Sequence, residues 1–271
     1  MDTRYWGPSG WKLLHTITFS YTPELKETYK EFFTTIAYIL PCKHCRKSYT
    51  EYILNDPIDN ESQLLLTQWL WRIHNMVNAK LRSQGLLKTK NPTFTQVEDI
   101  YNKKLSEGCV NVNFEGWEFL FSTVESHPYS KLSLGSKPFD FNSDVVDISD
   151  PLQQNMYNFM SAADKLKYFT KFWKLLPKVL PFPSWRSSWK KYDSLEWSTR
   201  QSSIENLYAI RCGLENDLKL QNKKCYRLLC KELRSYKSGC NKSKRTKTCR
   251  RVKKTGRVKK TRRLKKTHTT R

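Results

Sequence analysis

The chain has 271 residues, of which 38% are hydrophobic and 13% aromatic, so one large domain or two ordinary domains can bury a core. No apolar run approaches the ~20 residues that are needed to cross a bilayer. Residues 1–6 lack the hydrophobic stretch of a secretory signal. The net charge of +24 is uneven, because 17 of the 49 Lys and Arg residues lie in residues 237–271, where there is no acid.

The first hundred residues show helical rather than strand periodicity. An amphipathic segment is predicted over residues 11–19, and a second helix is predicted to end at Pro41, which also suits the first turn of the next helix. A long helix is predicted to run to about residue 83, with Asn60 and Gln63 as its capping box. A short helix containing Tyr101 follows. Residues 1–108 therefore predict an all-α bundle of four or five helices.

Residues 109–235 predict a second, mainly helical domain. The segment 109–150 is irregular, and helical periodicity returns around residues 152–176 and 199–234. Residues 236–271 form a basic tail with an approximate six-residue repeat of Arg, Val or Leu, Lys, Lys and Thr. Such a segment cannot bury enough apolar surface to offset its ordering entropy, so we expect it to be disordered.

The chain contains a single C-x-x-C motif, Cys42 and Cys45, which follows Pro41 at the start of a predicted helix among basic residues. Both features stabilise thiolate, the form that attacks disulfides. A structural zinc half-site would need a second ligand pair, and the other cysteines are remote and poorly spaced. A thioredoxin-like motif would follow a strand. A redox dithiol beside an electron acceptor is the interpretation that the pattern favours.

The long predicted helix offers a site for that acceptor. Trp71, His74, Asn75 and Asn78 fall on one face of it, next to an apolar stripe. An aromatic ring, an imidazole and two amides suit a flat heteroaromatic ligand with polar edges. A solvated helix face with a Trp at its margin is the alternative interpretation, and His15 on the first helix could equally be a core histidine.

Three motifs in order resemble the Erv/ALR family of FAD-linked sulfhydryl oxidases, and the opening is most similar to the versions of large DNA viruses. The first motif comprises Gly7, Trp11 and His15; the second is Pro41 to Cys45; the third comprises His74, Asn75, Val77, Asn78, Lys80 and Leu81, preceded by Trp71. The resemblance covers residues 5–101. It implies a helical bundle that binds FAD beside Cys42–Cys45.

The resemblance also implies roles for individual residues. Those expected to line the cofactor are Gly7, Trp11, His15, Trp71, His74, Asn75, Val77, Asn78, Lys80, Lys90 and Tyr101. The implied reaction takes electrons from protein thiols or thioredoxin-like substrates and passes them to oxygen, giving a disulfide and hydrogen peroxide. Cys42 is expected to be the more exposed sulfur and Cys45 the one beside the flavin. No metal ligand is predicted.

Two features depart from the family pattern. Many cellular members have a cysteine at the position of Trp71, and no cysteine precedes Cys42 as a shuttle. A relay pair would therefore come from Cys225 and Cys230, or from Cys240 and Cys249, unless these are incidental thiols.

The second region resembles a substituted copy of the first. Residues 116–121 are similar to residues 10–15, residues 179–189 to residues 39–49, and residues 211–220 to residues 72–81. In this register Phe182 and Trp185 replace the thiols, and Gly213 replaces His74. We hypothesise a non-catalytic pseudo-domain that packs on the active one, so that the chain is an intramolecular pseudo-dimer or a homodimer. Chance similarity between Trp-rich helices is the alternative.

The basic tail predicts a polyanion partner such as nucleic acid, anionic lipid or an import receptor, with a purely solubilising role as the alternative. If the chain is viral, we expect it in the host cytoplasm or the virion, as a late protein. The competing class of function is a zinc-stabilised structural protein that associates with nucleic acid.

Overall fold

The computed structural model describes residues 1–108, 114–142, 146–220 and 223–237, and these residues are helical with no strand among them. The first part of the chain contains a 3-10 turn at Pro23–Leu25 and five helices: α1 (Thr3–Phe19), α2 (Lys26–Ile39), α3 (Lys43–Asn55), α4 (Gln63–Ser83) and α5 (Phe94–Ser106). This agrees with the predicted bundle. Cys109, Cys240 and Cys249, and the expected disorder of the tail beyond residue 237, lie outside the described residues.

The rest of the described chain forms seven further helices. They are α6 (Trp117–Glu125), α7 (Lys131–Leu134), α8 (Pro151–Met156), α9 (Ala162–Val179), α10 (Pro183–Lys190), α11 (Arg200–Asp217) and α12 (Tyr226–Ser235). Of these, α7 and α8 are short and lie in or next to the segment that the sequence predicted to be irregular. No helix among the described residues is long and apolar enough to cross a membrane.

Two helix starts differ from the predicted ones. α1 begins at Thr3, eight residues before Trp11, because the side chain of Asp2 caps it by accepting a hydrogen bond from the backbone of Arg4. The N-cap of α4 is Ser62, whose hydroxyl accepts from the backbone of Leu65. Asn60 is buried and donates its amide to the Lys26 carbonyl, 2.7 Å away, so it joins two segments instead of capping a helix.

Helices of the second part follow the order and packing of the first. α1 packs against α4 and α5, as α6 packs against α11 and α12; α3 packs against α2 and α4, as α10 packs against α9 and α11. The two sets meet through α1 against α6 and through α2 against α9, the most extensive helix contact in the structure. One continuous apolar core joins both sets.

Candidate functional site

The two thiols lie where α2 gives way to α3. Cys42 is the N-cap of α3, and its carbonyl accepts from the backbone of Cys45 at 3.0 Å. Cys42 is 7% exposed, whereas Cys45 is half-buried. The expectation that Cys42 is the more exposed sulfur is therefore wrong for this structure.

Residues of the second part contact the first turn of α3 on both sides of the C-x-x-C. The Lys43 ammonium donates to the Lys137 carbonyl at 2.7 Å and lies 4.3 Å from the centre of the Phe139 ring. The His44 imidazole meets the same ring edge-on at 5.1 Å. Sequence reasoning could not place these contacts, because the contacting residues are separated by more than ninety positions.

Cys45 lies on the side of α3 that faces α4. Residues three and seven positions apart share a helix face, so Cys45, Ser48 and Tyr52 point the same way. Ser48 on that face accepts a hydrogen bond from the ammonium of Lys80 on α4. The helix that begins with the thiols is thus bonded to the long helix that carries the predicted cofactor residues.

Four of the predicted residues form one cluster of rings. Trp11 and His74 lie parallel with ring centres 4.0 Å apart. His15 Nε2 lies 3.1 Å from His74 Nδ1, and Tyr101 stacks on His15 with ring centres 5.1 Å apart. The structure therefore brings α1, α4 and α5 together through residues that are far apart in sequence.

Both histidines of the cluster are neutral at pH 7. Burial lowers the pKa of His15 to about 3, and the neighbouring His74 adds to this effect. Burial lowers the pKa of His74 to about 4. His15 Nδ1 is buried without a hydrogen-bond partner, which is costly for a polar atom unless a group outside the chain satisfies it.

The polar face of α4 next to this cluster is only partly covered. His74, Asn75, Val77 and Asn78 are half-buried there, and the Asn78 amide donates to the Asn91 side chain at 3.1 Å. Gly7, one and two turns before Trp11 and His15 on α1, faces open space that a Cβ atom would enter without contact. An unsatisfied imidazole nitrogen and half-buried amides beside stacked rings fit a flat aromatic group with polar edges.

Trp71 and Lys90, which were also predicted to line the cofactor, lie outside the ring cluster. Trp71 donates its indole N–H to the Pro92 carbonyl at 3.1 Å and meets the Phe94 ring edge-on, so it fixes the start of α5. Lys90 is exposed in the loop between α4 and α5.

Sequence reasoning missed three polar residues near the site. Arg46 and Asn158 are bonded to each other beside the thiols. The Lys104 ammonium pairs with Glu115 and lies 5.9 Å from the centre of the Tyr101 ring. The basic run after Cys42 was a signal for Arg46, whereas nothing local marks Asn158.

Of the candidate relay pairs, Cys225 and Cys230 lie among the described residues, and they form no simple second dithiol. Cys225 is the N-cap of α12 and Cys230 lies within it, and five residues of helix separate their Cα atoms by ~7.5 Å along the axis, too far for a disulfide while the helix is formed. Within the ranges described, no group of three or more His, Cys, Asp or Glu side chains could hold a metal ion.

Comparisons with known proteins found relatives of the first part of the chain. Residues 8–98 match the Erv1 / Alr family. The mitochondrial FAD-linked sulfhydryl oxidase ERV1 of Saccharomyces cerevisiae is 36% identical over 85 residues, which is 30% of this chain and 45% of that protein. A probable FAD-linked sulfhydryl oxidase of Acanthamoeba polyphaga mimivirus is 35% identical over 85 residues, 29% of this chain and 59% of its own length.

A plant protein is similar to the same part of the chain. The FAD-linked sulfhydryl oxidase ERV1 of Arabidopsis thaliana is 33% identical over 79 residues, 28% of this chain and 41% of that protein. The chain therefore spans about half the length of these relatives. No solved structure matched the chain.

Proposed function

Because residues 8–98 form an Erv1 / Alr family domain, we propose that the chain is an FAD-dependent thiol oxidase whose working disulfide is Cys42–Cys45. The observation that carries the proposal is the C-x-x-C at the start of α3, because α3 is bonded through Ser48 and Lys80 to the helix that presents His74 and Asn78. The curated relatives of that domain are named FAD-linked sulfhydryl oxidases.

The proposed reaction begins with disulfide exchange at Cys42 and Cys45. A substrate thiolate attacks one sulfur of the Cys42–Cys45 disulfide, a mixed disulfide forms, and the second substrate thiol releases it. The substrate becomes a disulfide, and Cys42 and Cys45 take up its two electrons and two protons as thiols. Cys45 shares the face of α3 that carries Ser48 and would lie next to the acceptor. The substrate would then attack Cys42, which is 7% exposed, so residues around it would have to move.

Trp11, His15, His74, Asn75, Asn78 and Tyr101 would hold the isoalloxazine and adenine ends of FAD. When bound, FAD supplies a two-electron acceptor that reoxidises the dithiol and delivers the electrons to oxygen as hydrogen peroxide. The low pKa of both histidines keeps them uncharged, so they add no fixed positive charge to the ring site.

The test uses the full-length protein purified without added cofactor. We expect flavin absorbance, oxygen uptake with a small dithiol and peroxide as the product. Cys42→Ser and Cys45→Ser should each abolish oxygen uptake while the flavin stays bound. Cys212→Ser, which removes a half-buried thiol on α11, is the matched control and should retain the rate. A colourless protein, or one whose rate survives loss of either Cys42 or Cys45, contradicts the proposal.

We further propose that residues 114–237 act as a non-catalytic second copy that takes the place of a partner subunit. The support is the repeated helix order and the stacking of Phe32 on Phe172, 5.5 Å apart, at matching positions of α2 and α9. Phe182 and Trp185 stand where the first copy has Cys42 and Cys45. Light scattering should give the mass of one chain, and a stable dimer would contradict this arrangement.

The second copy has a different side chain at the position of His74. If α11 is aligned on α4 by their N-caps, Thr199 and Ser62, Arg211 falls at the position of His74. This alignment differs by two residues from the one drawn from sequence, which placed Gly213 there. The Arg211 guanidinium lies 5.4 Å from the centre of the Trp117 ring, much as His74 stacks on Trp11.

The basic tail, residues 236–271, is proposed to bind a polyanion. Its affinity should fall steeply as salt rises, with no sequence preference, because counterion release supplies the free energy of such binding. Binding of the full chain and of a chain ending at residue 237 to DNA and to anionic vesicles would be compared across salt concentrations. Equal binding by both chains, or binding that salt does not change, contradicts the proposal.

A further inference from the structure

Arg46 lies in the first turn of α3, one residue after Cys45 and four residues after Cys42. Its Nη1 donates to the Leu40 carbonyl at 2.8 Å, and its Nη2 donates to the Asn158 side-chain oxygen at 2.9 Å. Both acceptors are neutral oxygens, so these contacts hold the guanidinium in place without cancelling its charge. Arg46 Nε is buried as well.

The second part of the chain contains a matched arginine. Arg186 follows Leu180 as Arg46 follows Leu40, and its Nη1 donates to the Leu180 carbonyl at 2.6 Å. Phe182 and Trp185 occupy the thiol positions there. Closing the turn between two helices is therefore a structural role that both arginines share, and it does not depend on cysteine. What distinguishes Arg46 is its bond to Asn158.

Asn158 is held firmly enough to position a partner. It is 3% exposed, and its φ of 60° is a left-handed conformation that Asn tolerates better than most residues. Its Nδ2 donates to the carbonyls of Ser136 at 3.0 Å and Lys137 at 3.1 Å, which fixes the side-chain oxygen toward Arg46. Lys165 donates to the same oxygen at 3.2 Å.

We propose that Asn158 and Arg46 are positioning residues: Asn158, from the second part of the chain, holds the Arg46 charge beside Cys42 and Cys45 so that their thiolates are stabilised. This rests on the proposed use of the pair in disulfide exchange, where the thiolate is the reacting form. The second copy then serves the active one through a specific contact as well as through packing.

The pKa values of Arg46 and Lys165 support an interaction between the Arg46 charge and its neighbours. Burial lowers the pKa of Arg46, and the thiolate charges of Cys42 and Cys45 oppose that change. Burial lowers the pKa of Lys165 to about 8, and Arg46 adds to this. The other titratable or charged groups near the C-x-x-C stay in every variant below and form a constant background: Lys43, His44, Lys47 and Tyr52 on α3, and Lys80 on α4.

The experiment measures the thiols directly, on full-length, reduced protein kept without oxygen. The pH dependence of iodoacetamide alkylation at Cys42 and Cys45 is followed by peptide mass spectrometry. In Asn158→Gly, which keeps the left-handed backbone and removes the amide, the alkylation midpoint should rise by about one pH unit, since a nearby opposite charge changes a pKa by ~1–3. Arg46→Met should raise the midpoint at least as far.

Two further variants make the result decisive. Arg186→Met removes the matching carbonyl bond without touching the thiols and should leave the midpoint unchanged. If Asn158→Gly fails to fold, Asn158→Asp keeps the shape of the side chain and should raise the midpoint by placing a carboxylate against Arg46. An unchanged midpoint in the folded Asn158 and Arg46 variants overturns the proposal. Alkylation needs neither flavin nor turnover, so this failure is distinct from a failure of the oxidase proposal.

Discussion

Gly10 on α1 lies against Phe119 on α6, so closely that a Cβ atom on Gly10 would stand 3.2 Å from the ring. The contact is repeated in reverse, because a Cβ atom on Gly116 would stand 2.8 Å from the Leu13 side chain. Gly116 and Phe119 hold the positions in the second part of the chain that Gly10 and Leu13 hold in the first. Each part therefore offers a glycine to the apolar side chain of the other, as the two sides of an isologous interface do.

This exchange predicts unequal effects of adding one methyl group. Gly116→Ala should destabilise the fold by ~1–3 kcal/mol, because φ at Gly116 is 145° and the new Cβ meets Leu13. Gly10→Ala gains ~1 kcal/mol of helix propensity, which the contact with Phe119 offsets, so its net effect should be small. Urea unfolding of both variants measures the difference. Equal effects, or a larger loss at Gly10, would argue against the close approach at Gly116.

The stack of Trp11 on His74 predicts which tryptophan the flavin needs. Trp11→Ala should weaken FAD binding about tenfold or more, since the loss of one aromatic contact amounts to ~1.5 kcal/mol and a tenfold change to ~1.4 kcal/mol. Trp71→Phe keeps the ring contact with Phe94 and should bind FAD nearly as the parent does. Titration of flavin-stripped protein, followed by flavin fluorescence, tests this. A larger loss of FAD affinity in Trp71→Phe than in Trp11→Ala would contradict this prediction.

The sequence was sufficient for the helices of the first part and for the thiol motif, because these depend on local spacing. Asn60 resembled a cap, yet the bond from its side chain to Lys26 depends on a segment 34 positions away. The early start of α1 was missed because Gly7, Pro8 and Gly10 are poor helix formers. Burial of Trp6 and the stack of Tyr5 on Tyr236 outweigh their low propensity.

The position of Asn158 illustrates what sequence reasoning cannot reach. Its partner Arg46 is 112 residues away, and the bond requires a left-handed backbone that nothing in the neighbouring sequence demands. The contacts that flank Cys42 have the same origin, since Lys43 and Pro41 are bonded to residues of the second part of the chain. The features of the site that the motif did not predict are therefore contacts between the two parts of the chain.

The paired imidazoles predict that acid destabilises the protein. The pKa of His15 is lowered to about 3 and that of His74 to about 4, whereas unfolded histidine titrates near ~6.5. Below about pH 6.5 the unfolded chain binds protons that the folded chain does not, so the free energy of unfolding decreases as the pH falls toward 4.

We expect each histidine of the pair to contribute a loss of ~2–3 kcal/mol between pH 7 and pH 4.5, because the free energy of unfolding changes by ~1.4 kcal/mol for each pH unit over which the unfolded chain holds one extra proton. Urea unfolding at both pH values measures it, with His15→Gln as the variant whose pH dependence should be shallower. His127 lies outside the ring cluster, but it is also buried and its pKa is also lowered. His127→Gln is therefore the matched control, because it removes a buried histidine without changing the cluster. A parent and a His15→Gln variant with the same pH slope would contradict the assignment to the ring cluster.

Arg211 and Glu215 form an ion pair inside the second part of the chain, 2.6 Å apart with side chains only 5% and 4% exposed. Arg211→Met alone should cost ~3–5 kcal/mol, because it leaves the carboxylate buried without its charged partner. The double variant Arg211→Met/Glu215→Leu should recover most of that loss, since buried ion pairs exchange for apolar pairs at little cost. Lys191→Met, in the exposed pair with Asp217, is the control and should cost less than ~1 kcal/mol. Denaturant unfolding separates these cases, and a double variant no more stable than Arg211→Met would mean that the pair stabilises the second part of the chain through its charges. Flavin content should stay at the parental level in every folded variant, because the pair lies in α11, in the part of the chain that lacks the C-x-x-C.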